Sequence, residues 1–270
     1  MKKGWVMLAL VSLMIVGIVG CGSNNDANSN KSAAVEKIKI ASDASYAPME
    51  YMDTDTIKGF DIDFIKAVME EAGLSYEVTN TGWDTMLTSV KQGTEYQAGL
   101  SSVSITDERK ETYDYSIPYF ESTNMIMVKE GSDIKNALDL KDKKVAVQAA
   151  TTADELMSGI MGIDNANLKR FDSNAVALME LNGGGADAVV ADIAIVREYM
   201  KNNPKQNLVG IVDTENFGAE YYGILYPKGS ELREKLDPAI QKVLENGKYA
   251  EIYKTWFGEE PNLDNLLKAE

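Results

Sequence analysis

Asp61-Ile62-Asp63-Phe64-Ile65-Lys66-Ala67-Val68-Met69-Glu70-Glu71-Ala72-Gly73 decides the fold class once its flanks are read with it. Its apolar residues Ile62, Ile65, Val68, Met69 and Ala72 recur at helical spacing. Asp61 is placed to cap the start of this helix, and Gly73 to end it in a left-handed turn. Upstream, Ile38 to Ser42 reads as a strand. Downstream, Tyr76 to Thr79 reads as another, and Trp83 to Gln92 as a second helix closed by Gly93. The same alternation continues. Strands are expected at Gln97–Ser101, Met125–Lys129, Lys144–Gln148, Leu168–Phe171, Asp187–Ala191 and Tyr221–Tyr226. Helices are expected at Thr152–Met161, Ser173–Leu181 and Asp192–Lys201. Amphipathic helices run from Ser230 to Trp256, with a break or kink at Pro238. Strand and helix in alternation predict an α/β fold with largely parallel sheets.

The N-terminus bears on the compartment. Lys2 and Lys3 precede an uncharged apolar stretch, Val6 to Val19, that is short for a membrane span and ends in small residues, as a signal peptide does. Ile18-Val19-Gly20-Cys21 then resembles the lipobox of bacterial lipoproteins. That resemblance implies cleavage after residue 20 and acylation of Cys21, the only cysteine in the chain. An acylated N-terminus with two or more chains anchors stably. Residues 21–35 carry no large aliphatic or aromatic side chain except Val35, and read as a flexible tether. The fold has no second cysteine for an intramolecular disulfide and must rest on its own core.

The chain holds 27 Lys and Arg against 42 Asp and Glu, a net charge of −15. Such acidity opposes nonspecific nucleic-acid binding, and no basic patch offsets it. There is no histidine in the 270 residues. A Ser-His or Cys-His arrangement, a histidine base and a His-bound metal are therefore excluded. No glycine-rich phosphate loop follows a strand, and Gly183-Gly184-Gly185 is placed to end a helix. Asp61 and Asp63, at a helix start, suit capping better than acid–base work. No catalytic residue, metal or cofactor is expected.

What remains is a set of polar groups after strands and at helix starts, where open α/β sheets hold ligands. Ser42-Asp43-Ala44-Ser45-Tyr46 follows the first strand. Ser101-Ser102-Val103-Ser104-Ile105-Thr106-Asp107-Glu108-Arg109 leads into a short helix capped by Thr106. Arg109 there opposes the helix dipole by a few tenths of a kcal/mol, roughly, which suggests a carboxylate partner; the plain alternative is a surface ion pair. Ala150-Thr151-Thr152 opens a helix whose free N–H groups suit an anion. Asp192 follows the Asp187–Ala191 run, and its plain alternative is a helix cap. Together with Tyr46 and Trp83, these groups complement a zwitterionic amino acid.

Several longer segments carry a resemblance. They are Ser42-Asp43-Ala44-Ser45-Tyr46-Ala47-Pro48, Gly59-Phe60-Asp61-Ile62-Asp63, Ser104-Ile105-Thr106-Asp107-Glu108-Arg109, Tyr113-Asp114-Tyr115-Ser116-Ile117-Pro118-Tyr119, Asp187 to Asp192 and Tyr249 to Gly258. Through them the chain, from Ile38 to Gly258, is similar to the polar amino-acid-binding proteins of ATP-driven bacterial importers, the family 3 solute-binding proteins. The resemblance implies a two-lobed periplasmic-binding-protein-like (type II) fold with two hinge strands. Lobe 1 would be residues 36–127 and 223–270, and lobe 2 residues 128–222, with crossings near Met125–Lys129 and Glu220–Ile224. It implies that Arg109, helped by Thr152, grips an α-carboxylate and that Asp192 meets the α-ammonium. Ser102 and Ser104 would bond the main-chain end, Tyr46 and Trp83 would sandwich the side chain, and Asp43 would meet its polar or cationic tip, with Gln148 tuning specificity. Ala150, Met49 and Gln97 depart from the family's usual Gly, aromatic residue and Asp.

The function implied is an exported, membrane-anchored lipoprotein. It would capture a free polar or basic L-amino acid by closing its cleft and deliver it, as a monomer, to the permease subunits of the transporter. A ligand-sensing module for a receptor and a dehydratase-type enzyme on the same fold are the alternatives.

Overall fold

The structure, a computed structural model, describes residues 37–268. The cleavage site, Cys21 and the tether lie outside the described residues. Among the described residues no helix is long and apolar enough to cross a membrane.

The chain runs through β1 (Ile38–Ser42), a small meander of β2 (Ser45–Tyr46), β3 (Glu50–Asp53) and β4 (Thr56–Lys58), then α1 (Phe60–Ala72), β5 (Tyr76–Asn80) and α2 (Trp83–Gln92). It continues with β6 (Ala98–Gly99), α3 (Asp107–Thr112), β7 (Tyr113–Tyr115), the long β8 (Phe120–Lys129), β9 (Val145–Gln148), α4 (Thr152–Met161), β10 (Leu168–Phe171) and α5 (Asn174–Gly183). It ends with β11 (Ala188–Asp192), α6 (Ile193–Asn202), β12 (Leu208–Val212), β13 (Ala219–Tyr222), β14 (Leu225–Pro227), α7 (Leu232–Glu245) and α8 (Lys248–Phe257).

Two mixed sheets organise these elements. One has the order β5-β1-β6-β14-β7, the other β10-β9-β11-β8-β12. The pairs β1–β5, β1–β6, β9–β10 and β9–β11 are parallel, as the alternation of strands and helices predicts. The antiparallel members are β14 in the first sheet and β8 in the second. β8 also carries the chain from the first sheet to the second, and β13 brings it back to β14. The first half of β8 pairs with β13, Phe120 opposite Tyr222 and Thr123 opposite Ala219, as a two-stranded link. Residues Met125–Lys129 pair with β11 and β12 inside the second sheet, so the first passage runs through residues 116–124, upstream of where it was expected.

The core explains why the last helices return to the first sheet. α1 buries Phe60 and Phe64 against Tyr249 of α8 and Tyr119 and Phe120 at the link, with Phe64 and Tyr119 stacked at 4.5 Å. Phe120 in turn stacks on Tyr222 of β13 at 5.4 Å. Aromatic contacts of this kind add to the area they remove from water.

Four local expectations are corrected. α1 begins two residues early, after Gly59, and Asp61 does not cap it. Gly59 has φ 142, and a Cβ there would lie 1.9 Å from the Met49 carbonyl oxygen, so only glycine admits this approach. Asp61 is instead fully buried inside the helix. Pro238 does not break α7. Glu234, whose carbonyl loses its helical donor, is exposed to water, and Asp237 is spent on Ile117 N (3.1 Å) and Arg233 Nε (3.0 Å) rather than on capping. The helix break falls later, at Asn246-Gly247. Tyr221–Tyr226 is two strands, parted at Gly223, because β13 pairs with β8 and β14 with the first sheet.

Candidate functional site

All eight residues singled out as ligand-binding line one narrow cavity of about 20 Å³: Asp43, Tyr46, Trp83, Ser102, Ser104, Arg109, Thr152 and Asp192. Gln148 lines it too, with Ser101 and Asn174. Most sit at the end of a strand, just after one, or in the first turn of a helix. Asp43 follows β1, Trp83 opens α2, Ser102 and Ser104 follow β6, Thr152 opens α4 and Asp192 ends β11. This is the edge at which parallel strands leave space and free N–H groups.

Arg109 is fixed from both ends. The Thr106 side chain accepts from Arg109 N at 3.2 Å and caps α3, as expected. The guanidinium, buried with the rest of the side chain, donates to the Ser104 carbonyl (Nη1, 3.1 Å) and to the Ala150 carbonyl (Nη2, 3.0 Å). It lies 5.6 Å from the Trp83 ring centre, within cation–π range. Its nearest carboxylate is Glu155, at 4.0 Å and partly in water. Such a loose contact neutralises little of its charge.

Asp192 is buried at the head of α6 and caps nothing. Its Oδ2 accepts from the hydroxyls of Tyr46 and Tyr222. Burial raises its carboxyl pKa, while the two hydroxyls and the Arg109 charge act in the opposite direction. Asp192 and Arg109 thus face one cavity and neither pairs with the other.

The far end of the cavity is also polar. Asp43 accepts from Ser45 Oγ at 2.9 Å and from Gln148 Nε2 at 3.1 Å, which joins the first sheet to the second. Gln148 Oε1 accepts from Asn174 Nδ2 at 2.7 Å. Trp83 Nε1 donates to the Ala150 carbonyl at 3.3 Å. Ala150 has φ 56, so the family's glycine position keeps its left-handed backbone although it holds alanine. Met49 is fully buried, and Gln97 accepts from Lys39 N, so both other departures are structural.

Sequence reasoning missed the groups behind the cavity wall. Glu50 and Asp61 are fully buried neighbours that carry the Ser101-Ser102 turn. Ser101 Oγ donates to Glu50 at 2.6 Å, and Ser102 N (2.9 Å) and Tyr119 OH (2.8 Å) donate to Asp61. Burial pushes Glu50 well above the usual carboxyl range and Asp61 up to about 6. Glu220 of β13 accepts from Ser104 Oγ (2.6 Å) and Thr152 Oγ1 (2.9 Å). Burial, then the Asp192 charge, raise it to about 7. Nothing in Ala219-Glu220-Tyr221-Tyr222 distinguishes this glutamate from one pointing to water.

The family model of bacterial extracellular solute-binding proteins, family 3, matches residues 38–259. The chain is 34% identical to the probable histidine-binding protein of Neisseria gonorrhoeae, over 96% of this chain and 97% of the other. It is 30% identical to the arginine-binding extracellular protein ArtP of Bacillus subtilis, over 95% and 98%. Among solved structures it resembles the arginine-, lysine-, histidine-binding protein ArtJ of Geobacillus stearothermophilus, with a TM-score of 0.84 and 50% identity over 86% of this chain and all of that one. With two α/β sheets joined by a pair of strands and this match over nearly all described residues, the chain belongs to the bacterial extracellular solute-binding proteins of family 3.

Proposed function

We propose that this protein captures a free polar or basic L-amino acid in the Arg109–Asp192 cavity and delivers it to an ABC permease. One observation carries the reading. A guanidinium and a carboxylate, each buried, line the same cavity from the two sheets and are not paired with each other. An amino acid supplies the missing partner of both, its carboxylate to Arg109 and Thr152, its ammonium to Asp192. Tyr46 and Trp83 flank its side chain, and Asp43 at the far end favours a cationic tip. The names of the relatives, histidine-, arginine- and lysine-binding, support that preference.

Closure follows from the placement of the two charges. Lobe 1 holds the first sheet and lobe 2 holds β9 to β12 of the second together with Met125–Lys129 of β8, with the paired Phe120–Thr123 and Ala219–Tyr222 as the hinge. A ligand that bridges Arg109 and Asp192 binds the closed form better than the open one, and only such a difference in affinity can drive closure. The ligand leaves unchanged, and turnover of any amino acid in a metabolite screen would overturn this part. Acylated Cys21 would tether the monomer to the membrane beside its permease. Its test is fatty-acid labelling that Cys21→Ala abolishes.

A thermal-shift screen over the amino acids tests the central reading. A ligand at 100 times its dissociation constant adds about 2.7 kcal/mol. A raised midpoint with arginine, lysine, histidine or glutamine is the expected result. A flat response to every amino acid contradicts the proposal.

A further inference from the structure

Glu220 stands directly behind the cavity wall, on one of the two strands that link the sheets. Its carboxylate is held by neutral donors alone: Ser104 Oγ, Thr152 Oγ1 and Asn124 Nδ2. Ser104 and Thr152 also line the cavity, where on the amino-acid reading Thr152 meets the ligand carboxylate and Ser104 the main-chain end. A hydroxyl carries one hydrogen. While Ser104 and Thr152 donate theirs to an ionised Glu220, neither has one left for the ligand. Two carboxylates would then share two hydrogens and one guanidinium at close range, where like charges disfavour joint ionisation.

One proton resolves the conflict. Protonated at Oε2, Glu220 becomes a donor to one of these hydroxyl oxygens. That hydroxyl's hydrogen is then free to turn to the ligand, the other hydroxyl still donates to Oε2, and Asn124 Nδ2 keeps its bond to Oε1. One proton comes from solvent and no covalent bond other than that O–H changes. We propose that Glu220 is a further ligand-site residue, and that freeing a Ser104 or Thr152 hydroxyl for an amino-acid carboxylate requires Glu220 to take up one proton. Capture is therefore coupled to proton uptake. This inference rests on the amino-acid reading of the cavity.

The groups around Glu220 agree with this. Asp192 at the end of β11 and Glu155 of α4 face it with like charge, Arg109 of α3 with opposite charge, and Tyr222 lies on its own strand. Burial and Asp192 raise its carboxyl to about 7, against the pull of Ser104, Thr152 and Arg109, so the proton is available near neutrality. A ligand carboxylate raises it further. The complex then binds more protons than the free protein above about pH 7, and affinity falls as pH rises.

The test is calorimetric titration of wild type and Glu220→Gln with L-arginine at pH 6 and pH 8, each in phosphate and in Tris. The two buffers differ in ionisation heat and so report the protons taken up. Glutamine mimics the protonated acid, donating through Nε2 and accepting from Asn124. Wild type is expected to take up most of one proton at pH 8, and its Kd to weaken between the two pH values toward the limit of about tenfold per unit above 7. Glu220→Gln is expected to take up none and to bind at pH 8 at least as tightly as wild type. Proton uptake near zero in wild type, or the same pH slope in both proteins, overturns the inference while leaving the amino-acid site intact. Should Glu220→Gln not fold, the wild-type proton count decides alone. No binding of arginine, lysine, histidine or glutamine at either pH overturns the functional reading and this inference with it.

Discussion

Arg109 Nη2 donates to the carbonyl oxygen of Ala150 at 3.0 Å, which ties the first turn of α3 to the loop between β9 and α4 across the cavity. Trp83 Nε1 reaches the same oxygen at 3.3 Å. Ala150 presents that oxygen from a left-handed backbone, φ 56, and Asp154 Oδ2 accepts from its N–H at 3.1 Å. A side chain larger than alanine strains this conformation further. Ala150→Val is expected to lower folding stability by about 1–3 kcal/mol, whereas Ala150→Gly leaves it unchanged or raised by up to about 1 kcal/mol. Urea unfolding of both variants checks the pair. A neutral valine would show that the strain is not there.

Arg109 is the group whose loss the account can least tolerate. Arg109→Ala leaves a ligand carboxylate buried and unpaired, so affinity is expected to fall by about 3 kcal/mol or more, over a hundredfold. Arg109→Lys should not restore it, because an ammonium lacks the two-pronged geometry. Calorimetric titration reads both.

On the proposed function, Asp43 sets the preference at the far end of the cavity. Asp43→Asn keeps an acceptor for Ser45 and removes the charge. Affinity for arginine and lysine is expected to drop about tenfold or more, roughly 1.4 kcal/mol, while that for glutamine changes little. Equal losses for charged and neutral side chains would remove Asp43 from specificity.

The buried pair Glu50 and Asp61 makes stability depend on pH. Both carboxyls titrate higher in the folded protein than in the unfolded chain, Asp61 near 6 and Glu50 well above its ordinary range, burial being the first cause. The native state therefore binds more protons than the unfolded one between about pH 4 and the folded values. The resulting stability is complete below about pH 4 and is lost as pH rises through 6 and beyond. Urea midpoints from pH 4.5 to 8 should decline on this account, and Glu50→Gln should flatten the decline. A slope unchanged by Glu50→Gln would contradict it.

Much of this was legible before any coordinates. Helices α2 and α4 and strand β10 carry periodic apolar residues and clear end signals, and they fall where the sequence places them. The eight site residues could be named because most end or follow a strand or open a helix, within recognisable motifs. What stayed hidden depends on partners distant in sequence. Asp61 reads as a cap, yet its donors are Ser102 and Tyr119. Glu220 reads only as part of a crossing segment, yet it meets Ser104, 116 positions away. Pro238 reads as a break, but local geometry could not show that the carbonyl it orphans lies on the exposed face of α7.

The most direct test of the central claim compares L-arginine with agmatine, the same molecule without its carboxylate, by calorimetric titration of wild type and Arg109→Ala. If Arg109 grips the α-carboxylate, wild type prefers L-arginine by a hundredfold or more, about 2.7 kcal/mol, and Arg109→Ala loses most of that preference. Equal binding of the two ligands by wild type, or an undiminished preference in Arg109→Ala, would contradict the account.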